Sequence, residues 1–203
     1  MKENRKVIVV TGTPGVGKTT ISQKLATNLD ARYIGITELV KEKNMVTSID
    51  ETRETLIADT KKVSQQLQEI LAKTEGTIII DGHYAVDVVP KKEVDTVFVL
   101  RRDPRELKDT LTKRGYNEKK LWENISAEIL DVCLLDAIYA CGANKVCEID
   151  VTDKTVETTV EEATLVLKKK KEYSYGAVDW LGKLETEGQL ETYLQKIRLA
   201  EQT

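Results

Sequence analysis

Eight consecutive residues, Gly12-Thr13-Pro14-Gly15-Val16-Gly17-Lys18-Thr19, have the types and spacing of a phosphate cradle. They satisfy G-x-x-x-x-G-K-[ST] at every fixed position. Glycine admits backbone angles that other residues resist, so successive N–H groups can turn inward around an anion. A helix opening near Lys18 would aim its positive end at the same charge. In that arrangement Lys18 neutralises β- and γ-phosphate oxygens, and the Thr19 hydroxyl ligates Mg²⁺. The expectation is a site for a nucleoside triphosphate.

Two further residues fit that chemistry. Asp81 closes the apolar run Thr77-Ile78-Ile79-Ile80, where a carboxylate at the end of a buried strand can hold a magnesium-bound water. His83, the sole histidine, follows two residues later and could orient a hydrolytic water. Other phosphoryl machines fit less well. Asn144-Lys145-Val146 continues into Cys147, so the aspartate of a guanine reader is missing. Ile80-Asp81-Gly82-His83 stands where a motor or transporter ATPase would carry an acidic pair.

Phosphoryl transfer also calls for cations that close over the reacting group and exclude water. Residues 91–120 hold ten bases against six acids, a net of +4 in a chain whose overall charge is −3. Within that stretch Lys113-Arg114-Gly115-Tyr116-Asn117 interrupts two helical patterns with a glycine, the pattern of a short hinged lid.

These groups need a scaffold. Val7-Ile8-Val9-Val10, Thr77–Ile80 and Thr96-Val97-Phe98-Val99-Leu100 are short apolar runs rich in β-branched residues, which predict strands buried on both faces. Arg32-Tyr33-Ile34 and Lys145–Ile149 are weaker versions. Helical spacing separates them, at Ile21, Leu25 and Leu29, at Leu67 and Leu71, and at Leu121, Ile125, Ile129, Val132 and Leu135. Asp103-Pro104-Arg105-Glu106 has the N-cap, proline and acid of a helix start. Strands alternating with helices predict an α/β fold with one parallel sheet of about five strands, covered on both faces.

At 203 residues, 40% hydrophobic and 32% charged, the chain has the balance of one globular domain. No apolar run reaches the roughly 18–20 residues of a membrane span. The N-terminal residues lack a signal peptide's cleavage site, and three cysteines crowded between 133 and 147 make a poor disulfide framework. With one distant histidine they also make a poor zinc site. A cytoplasmic, reducing location is expected. Residues 172–203 carry six acids and three bases, and their spacing suits either a docked helix or a loose arm.

Taken together, Gly12–Thr20, Asp81-Gly82-His83, Val99-Leu100-Arg101 and Arg114-Gly115-Tyr116-Asn117-Glu118-Lys119-Lys120 resemble the adenylate kinase isoenzyme 6 family. The resemblance runs from about Lys6 to Ala137, with Asn124, Ala127-Glu128-Ile129 and Val132 continuing it. It implies a P-loop monophosphate kinase fold with strand order 2-3-1-4-5 and a short lid near residues 113–123. ATP would be held by Gly15, Val16, Gly17, Lys18, Thr19 and Thr20, with Arg114 as the lid arginine. Catalysis would fall to Lys18, Arg114, Asp81 and His83, and Mg²⁺ to Thr19 and, through water, Asp81. The monophosphate would lie against residues 35–57, near Thr37 and Lys41. Related kinases place an arginine there, and lysine lacks its bidentate fork.

Members of that family are broad-specificity monophosphate kinases with accompanying ATPase activity. They bind a small-subunit platform ribosomal protein and assist late rRNA processing. Two functions therefore stand side by side. One is transfer of the γ-phosphoryl group of ATP to AMP or another monophosphate. The other is an assembly factor whose ATP hydrolysis switches its grip on a ribosomal protein in pre-ribosomal particles. The Arg114 lid favours the first. Lys41 and the Asp81-x-His83 pair favour the second.

Overall fold

A computed structural model describes residues 5–52 and 55–202. Five strands form one parallel sheet: β1 (Lys6–Thr11), β2 (Arg32–Gly35), β5 (Thr77–Asp81), β6 (Thr96–Arg101) and β7 (Val146–Asp150). Their order is β2-β5-β1-β6-β7, which is the expected 2-3-1-4-5. All four pairings are parallel, and the β1–β5 register sets Val10 opposite Asp81.

The continuous apolar runs have a direct physical cause. Successive side chains of a strand point to opposite faces, and here both faces are covered. Ile8 and Val10 enter one core with Phe98 and Leu100, while Val7 and Val9 enter the other with Ile78, Ile80, Val97 and Val99. Helices α1 (Lys18–Leu29), α5 (Pro104–Lys113), α6 (Glu118–Ile129) and α8 (Val156–Leu167) cover the first face. Helices α3 (Thr60–Lys73), α4 (Ala85–Val88) and α7 (Val132–Cys141) cover the second. The start of α5 follows its sequence signal, since the Asp103 carboxylate caps it by accepting from Arg105 N at 2.8 Å and Pro104 occupies the first turn.

Three features depart from the periodicity. The pattern Leu121–Leu135 reads as one helix, yet Asp131 adopts a left-handed backbone (φ 58°) and divides it into α6 and α7. Val132 and Leu135 are therefore exposed instead of extending the buried stripe of α6. After the short helix α2 (Ile36–Glu42), strands β3 (Val46–Asp50) and β4 (Thr55–Ala58) form an antiparallel hairpin that no alternating run announces. Ile49 and its partner Leu56 on one face, and Ile57 on the other, are all exposed.

The C-terminal tail is docked. Helices α9 (Trp180–Thr186) and α10 (Leu190–Glu201) bury Trp180, Leu184, Tyr193 and Ala200 in the first core, where Tyr193 meets the Trp122 ring edge-on at 5.6 Å. Among the described residues no helix is long and apolar enough to cross a membrane.

Candidate active site

The loop between β1 and α1 crosses the carboxyl end of the sheet, where the strand order reverses around β1. Its glycines are required by both angle and space. Gly12 has φ 137°, and a Cβ there would lie 2.4 Å from the Leu100 carbonyl oxygen. Gly15 has φ 99°, and a Cβ would strike the Leu107 and Leu111 side chains at 2.9 Å. The loop is thus pressed between β6 and α5. Val16 sends its side chain into the core, so it can offer an anion only its backbone.

Lys18 folds back over the loop, donating from Nζ to the carbonyls of Gly12 (2.8 Å) and Thr13 (3.0 Å). Burial pushes its ammonium below the ordinary lysine value, and the nearby Asp81 carboxylate opposes that shift. The Thr19 hydroxyl donates to Asp81 Oδ2 at 2.7 Å, and the Tyr33 phenol donates to the same oxygen at 3.0 Å. Burial raises the Asp81 carboxyl above the usual carboxylate range, against the pull of Thr19, Lys18 and Tyr33. Burial and the Asp81 charge together raise the Tyr33 phenol, which stays protonated as a donor. A hydroxyl beside a carboxylate is a hard-oxygen donor set, and it fits Mg²⁺ better than a soft metal.

These residues open onto a cavity of about 600 Å³, within the usual range for small-molecule sites. Gly15, Gly17, Lys18, Thr19 and Thr20 form one part of its wall, and Asp81, Gly82 and His83 another. Arg114 and Tyr116 come from the α5–α6 turn, with Lys120, Glu123 and Asn124 from α6. Thr37 and Glu38 from α2 and Thr55 from β4 complete it. The α5–α6 turn also touches the hairpin, since Asn117 Nδ2 donates to the Thr52 carbonyl at 3.1 Å. Lys120 holds its ammonium 4.5 Å from the centre of the Tyr116 ring.

The His83 imidazole is pushed down to about 4 by burial in the cleft, then by the Lys18 and Lys120 charges. The residue still exposes surface, so the desolvation is that of a concave wall and not of a sealed core. A ring neutral at pH 7 can hydrogen-bond a water but does not serve as a phosphate cation.

Most of the expected site residues thus meet in one cavity, with two adjustments. Lys41 is exposed one turn farther along α2 and does not line the cavity. The first turn of that helix presents Thr37 and Glu38 instead, a carboxylate where a monophosphate-gripping cation was expected. Most of the bases between 91 and 120 also lie away from the cavity. Arg101 is buried against Glu128 and Glu148, Arg105 pairs with Asp103 and Glu187, and of the ten only Arg114 and Lys120 line the cavity.

Sequence reasoning missed Tyr33 and Glu128. The Glu128 carboxylate accepts from the Thr13 hydroxyl of the loop, from Arg101 Nε at 2.9 Å and from Trp180 Nε1 at 3.0 Å. A signal for it existed, since Glu128 interrupts the buried stripe of Leu121, Ile125 and Ile129.

A parallel sheet with this order, a glycine-bounded loop on a helix N-terminus and a strand-end carboxylate define a P-loop kinase fold. An AAA domain family model matches residues 8–131. Solved structures agree on the fold: shikimate kinase from Bacteroides thetaiotaomicron aligns with a TM-score of 0.56 at 18% identity, covering 80% of this chain and 98% of that one. A gluconokinase from Sinorhizobium meliloti aligns with a TM-score of 0.53 at 15% identity, covering 81% and 93%.

Sequence relatives narrow the class. A protein of Methanocaldococcus jannaschii named "Putative adenylate kinase" is 46% identical over 176 residues, 87% of this chain and 93% of that protein. One of the same name from Methanosarcina barkeri is 38% identical over 184 residues, covering 86% and 97%. The chain belongs to this archaeal "Putative adenylate kinase" family within the P-loop kinases.

Proposed function

We propose that this protein is a nucleoside monophosphate kinase that moves the γ-phosphoryl group of ATP to an acceptor such as AMP, giving two ADP. The observation that carries the reading is the one cavity in which the P-loop, Asp81 and Arg114 face a second set of neutral polar groups, Thr37 and Thr55. A triphosphate on the loop and an acceptor beside it would share one cavity. The name borne by the relatives supports the same chemistry.

Phosphoryl transfer forms no covalent intermediate with the protein, so the side chains act by position and charge. Loop N–H groups and the α1 N-terminus would hold the phosphates. Lys18 would leave the Gly12 and Thr13 carbonyls for the β- and γ-oxygens. Arg114 on its short turn would meet charge spreading over the transferring group. Thr19 and Asp81 would hold Mg²⁺, Asp81 through water, and the bound ion would supply charge neutralisation between the phosphates. Neutral His83 would hydrogen-bond a water or an acceptor oxygen.

The resemblance to the isoenzyme 6 family supports a second activity, ATP hydrolysis, with a role in late small-subunit maturation through a ribosomal protein. Glu38 favours this second reading, because a carboxylate beside the acceptor site repels a dianionic monophosphate. ADP and phosphate measured during ATP turnover, with and without AMP, decide between them. Two ADP per ATP–AMP pair supports the kinase; phosphate release indifferent to AMP sinks it and leaves the ATPase.

A further inference from the structure

Behind the phosphate-binding loop lies a buried ionic cluster that the reaction itself does not use. The Arg101 guanidinium is 2% exposed and bonds three carboxylates, Asp131 at the edge of the cluster and the buried pair Glu128 and Glu148, each 1% exposed. One guanidinium cannot saturate two buried carboxylates, so further donors are needed. The C-terminal segment supplies them. Trp180 Nε1 donates to Glu128 Oε1 at 3.0 Å, while the backbone N–H groups of Ala177 and Val178 donate to Glu148 Oε2 at 3.0 and 3.3 Å. Glu148 N donates in turn to the Ser174 carbonyl at 2.8 Å.

The other Glu128 oxygen, Oε2, accepts from the hydroxyl of Thr13, a residue of the loop itself that is 1% exposed. Thr13 also presents the carbonyl that receives Lys18 Nζ. One carboxylate is thus held on one side by the C-terminal segment and holds the loop on the other. Trp180 and Thr13 bond opposite oxygens of it, and Trp180 does not line the cavity.

We propose that Glu128 is a positioning residue through which the C-terminal segment, by way of Trp180, sets the geometry of the phosphate-binding loop and hence its affinity for ATP. A carboxylate with four donors around it, Arg102 N at 3.0 Å being the fourth, has no freedom to turn. With the indole donor removed, Oε1 is held by Arg101 Nε and Arg102 N alone, the carboxylate turns to suit those two donors, and the Thr13 bond to Oε2 is the one that lengthens. The loop N–H groups then lose the arrangement that suits a phosphate. By linkage, ATP on the loop tightens the docking of Trp180 by the same factor. The proposal rests on the loop as a nucleotide site and not on which acceptor the enzyme uses.

The test is a double-mutant cycle in ATP affinity, measured by calorimetry with Mg²⁺ on the full chain, using Thr13→Val, Trp180→Phe and the double variant. Each single change should weaken ATP binding about tenfold, the loss expected for one hydrogen bond to a charged group. The double variant should be no weaker than the weaker single one, because both act through one carboxylate. Trp122→Phe, which disturbs packing on Tyr193 but not Glu128, should lower the melting temperature and leave ATP affinity within about twofold.

Effects that multiply in the double variant overturn the proposal, as does a Trp180→Phe chain that melts earlier but binds ATP normally. Failure of the parent to bind ATP would overturn the nucleotide reading itself, and this proposal with it. Should the double variant not fold, the Trp122→Phe chain has Trp180 as its only tryptophan. Its emission should change saturably with ATP, and a flat titration alongside calorimetric binding overturns the coupling.

Discussion

Thr19 on the first turn of α1 and Asp81 at the end of β5 are joined by a hydrogen bond of 2.7 Å, 62 residues apart in the chain. The bond links the helix that carries the P-loop lysine to the neighbouring strand of the sheet. The acidic oxygen is Asp81 Oδ2, which also accepts from Tyr33 on the outermost strand. Three elements thus converge on one carboxylate, and each can be tested separately.

Asp81→Asn should separate stability from activity. Burial raises the Asp81 carboxyl above its unfolded value, so ionising it costs folding free energy. That contribution is fully favourable below the unfolded pKa of about 3.9 and is lost as pH rises through the folded value. The Asn variant should therefore melt no lower than the parent at pH 7, while its Mg²⁺-dependent turnover collapses. Melting curves from pH 4 to 8 check this; a parent that gains on the variant as pH rises refutes it.

Tyr33→Phe removes one of the two donors on Asp81 Oδ2 and leaves the ring packing in place. The Mg²⁺ concentration for half-maximal turnover should rise about tenfold, the usual cost of losing an outer partner of a metal site. An unchanged Mg²⁺ titration would make the phenol a packing group alone.

Lys18→Ala should cut turnover by about 10²–10³-fold, the cost of removing a preorganised charge from a transition state. The melting temperature should barely change, because the ammonium reaches only two loop carbonyls. Turnover equal to the parent's would displace the chemistry from this cavity.

Arg114→Ala should lower the single-turnover rate far more than it weakens ATP binding. The residue sits at the C-cap of α5, followed by Gly115 at φ 73°, a turn that can carry the guanidinium inward. A finger-type arginine contributes roughly 10³–10⁵ in rate at its best. A smaller loss is expected here, since Lys120 lines the same cavity. If ATP dissociation rises and the rate does not fall, Arg114 is a ground-state clamp.

His83 should titrate with a midpoint about 4, well below an ordinary histidine, when its ring protons are followed by NMR. Because its folded value is depressed, its neutral form stabilises the fold above about pH 6.5, and that contribution is lost as pH falls toward 4. Turnover should then show no limb from His83 between pH 6 and 8. A midpoint near 6.5 would mean that the ring is freely hydrated.

The sequence alone determined the parts whose signals are local. The glycine spacing from Gly12 to Gly17 announced the phosphate loop, and β-branched runs announced the strands, because a buried parallel strand must be apolar on both faces. Asp103-Pro104 announced the start of α5, because a cap bonds within its own turn. What lies between distant segments was decided only by tertiary structure. Arg101 was one of ten bases in a charged stretch, with nothing local to mark it as buried, yet it lies against Glu128 and Glu148, 27 and 47 residues away, while Arg114 of the same stretch lines the cavity. The tail read equally as arm or helix until Trp180 met Glu128, 52 residues upstream. Spacing along a chain encodes which face of an element is apolar. It carries no record of which buried carboxylate a donor will reach, since that depends on how the packed helices bring their few polar groups together in a dry interior.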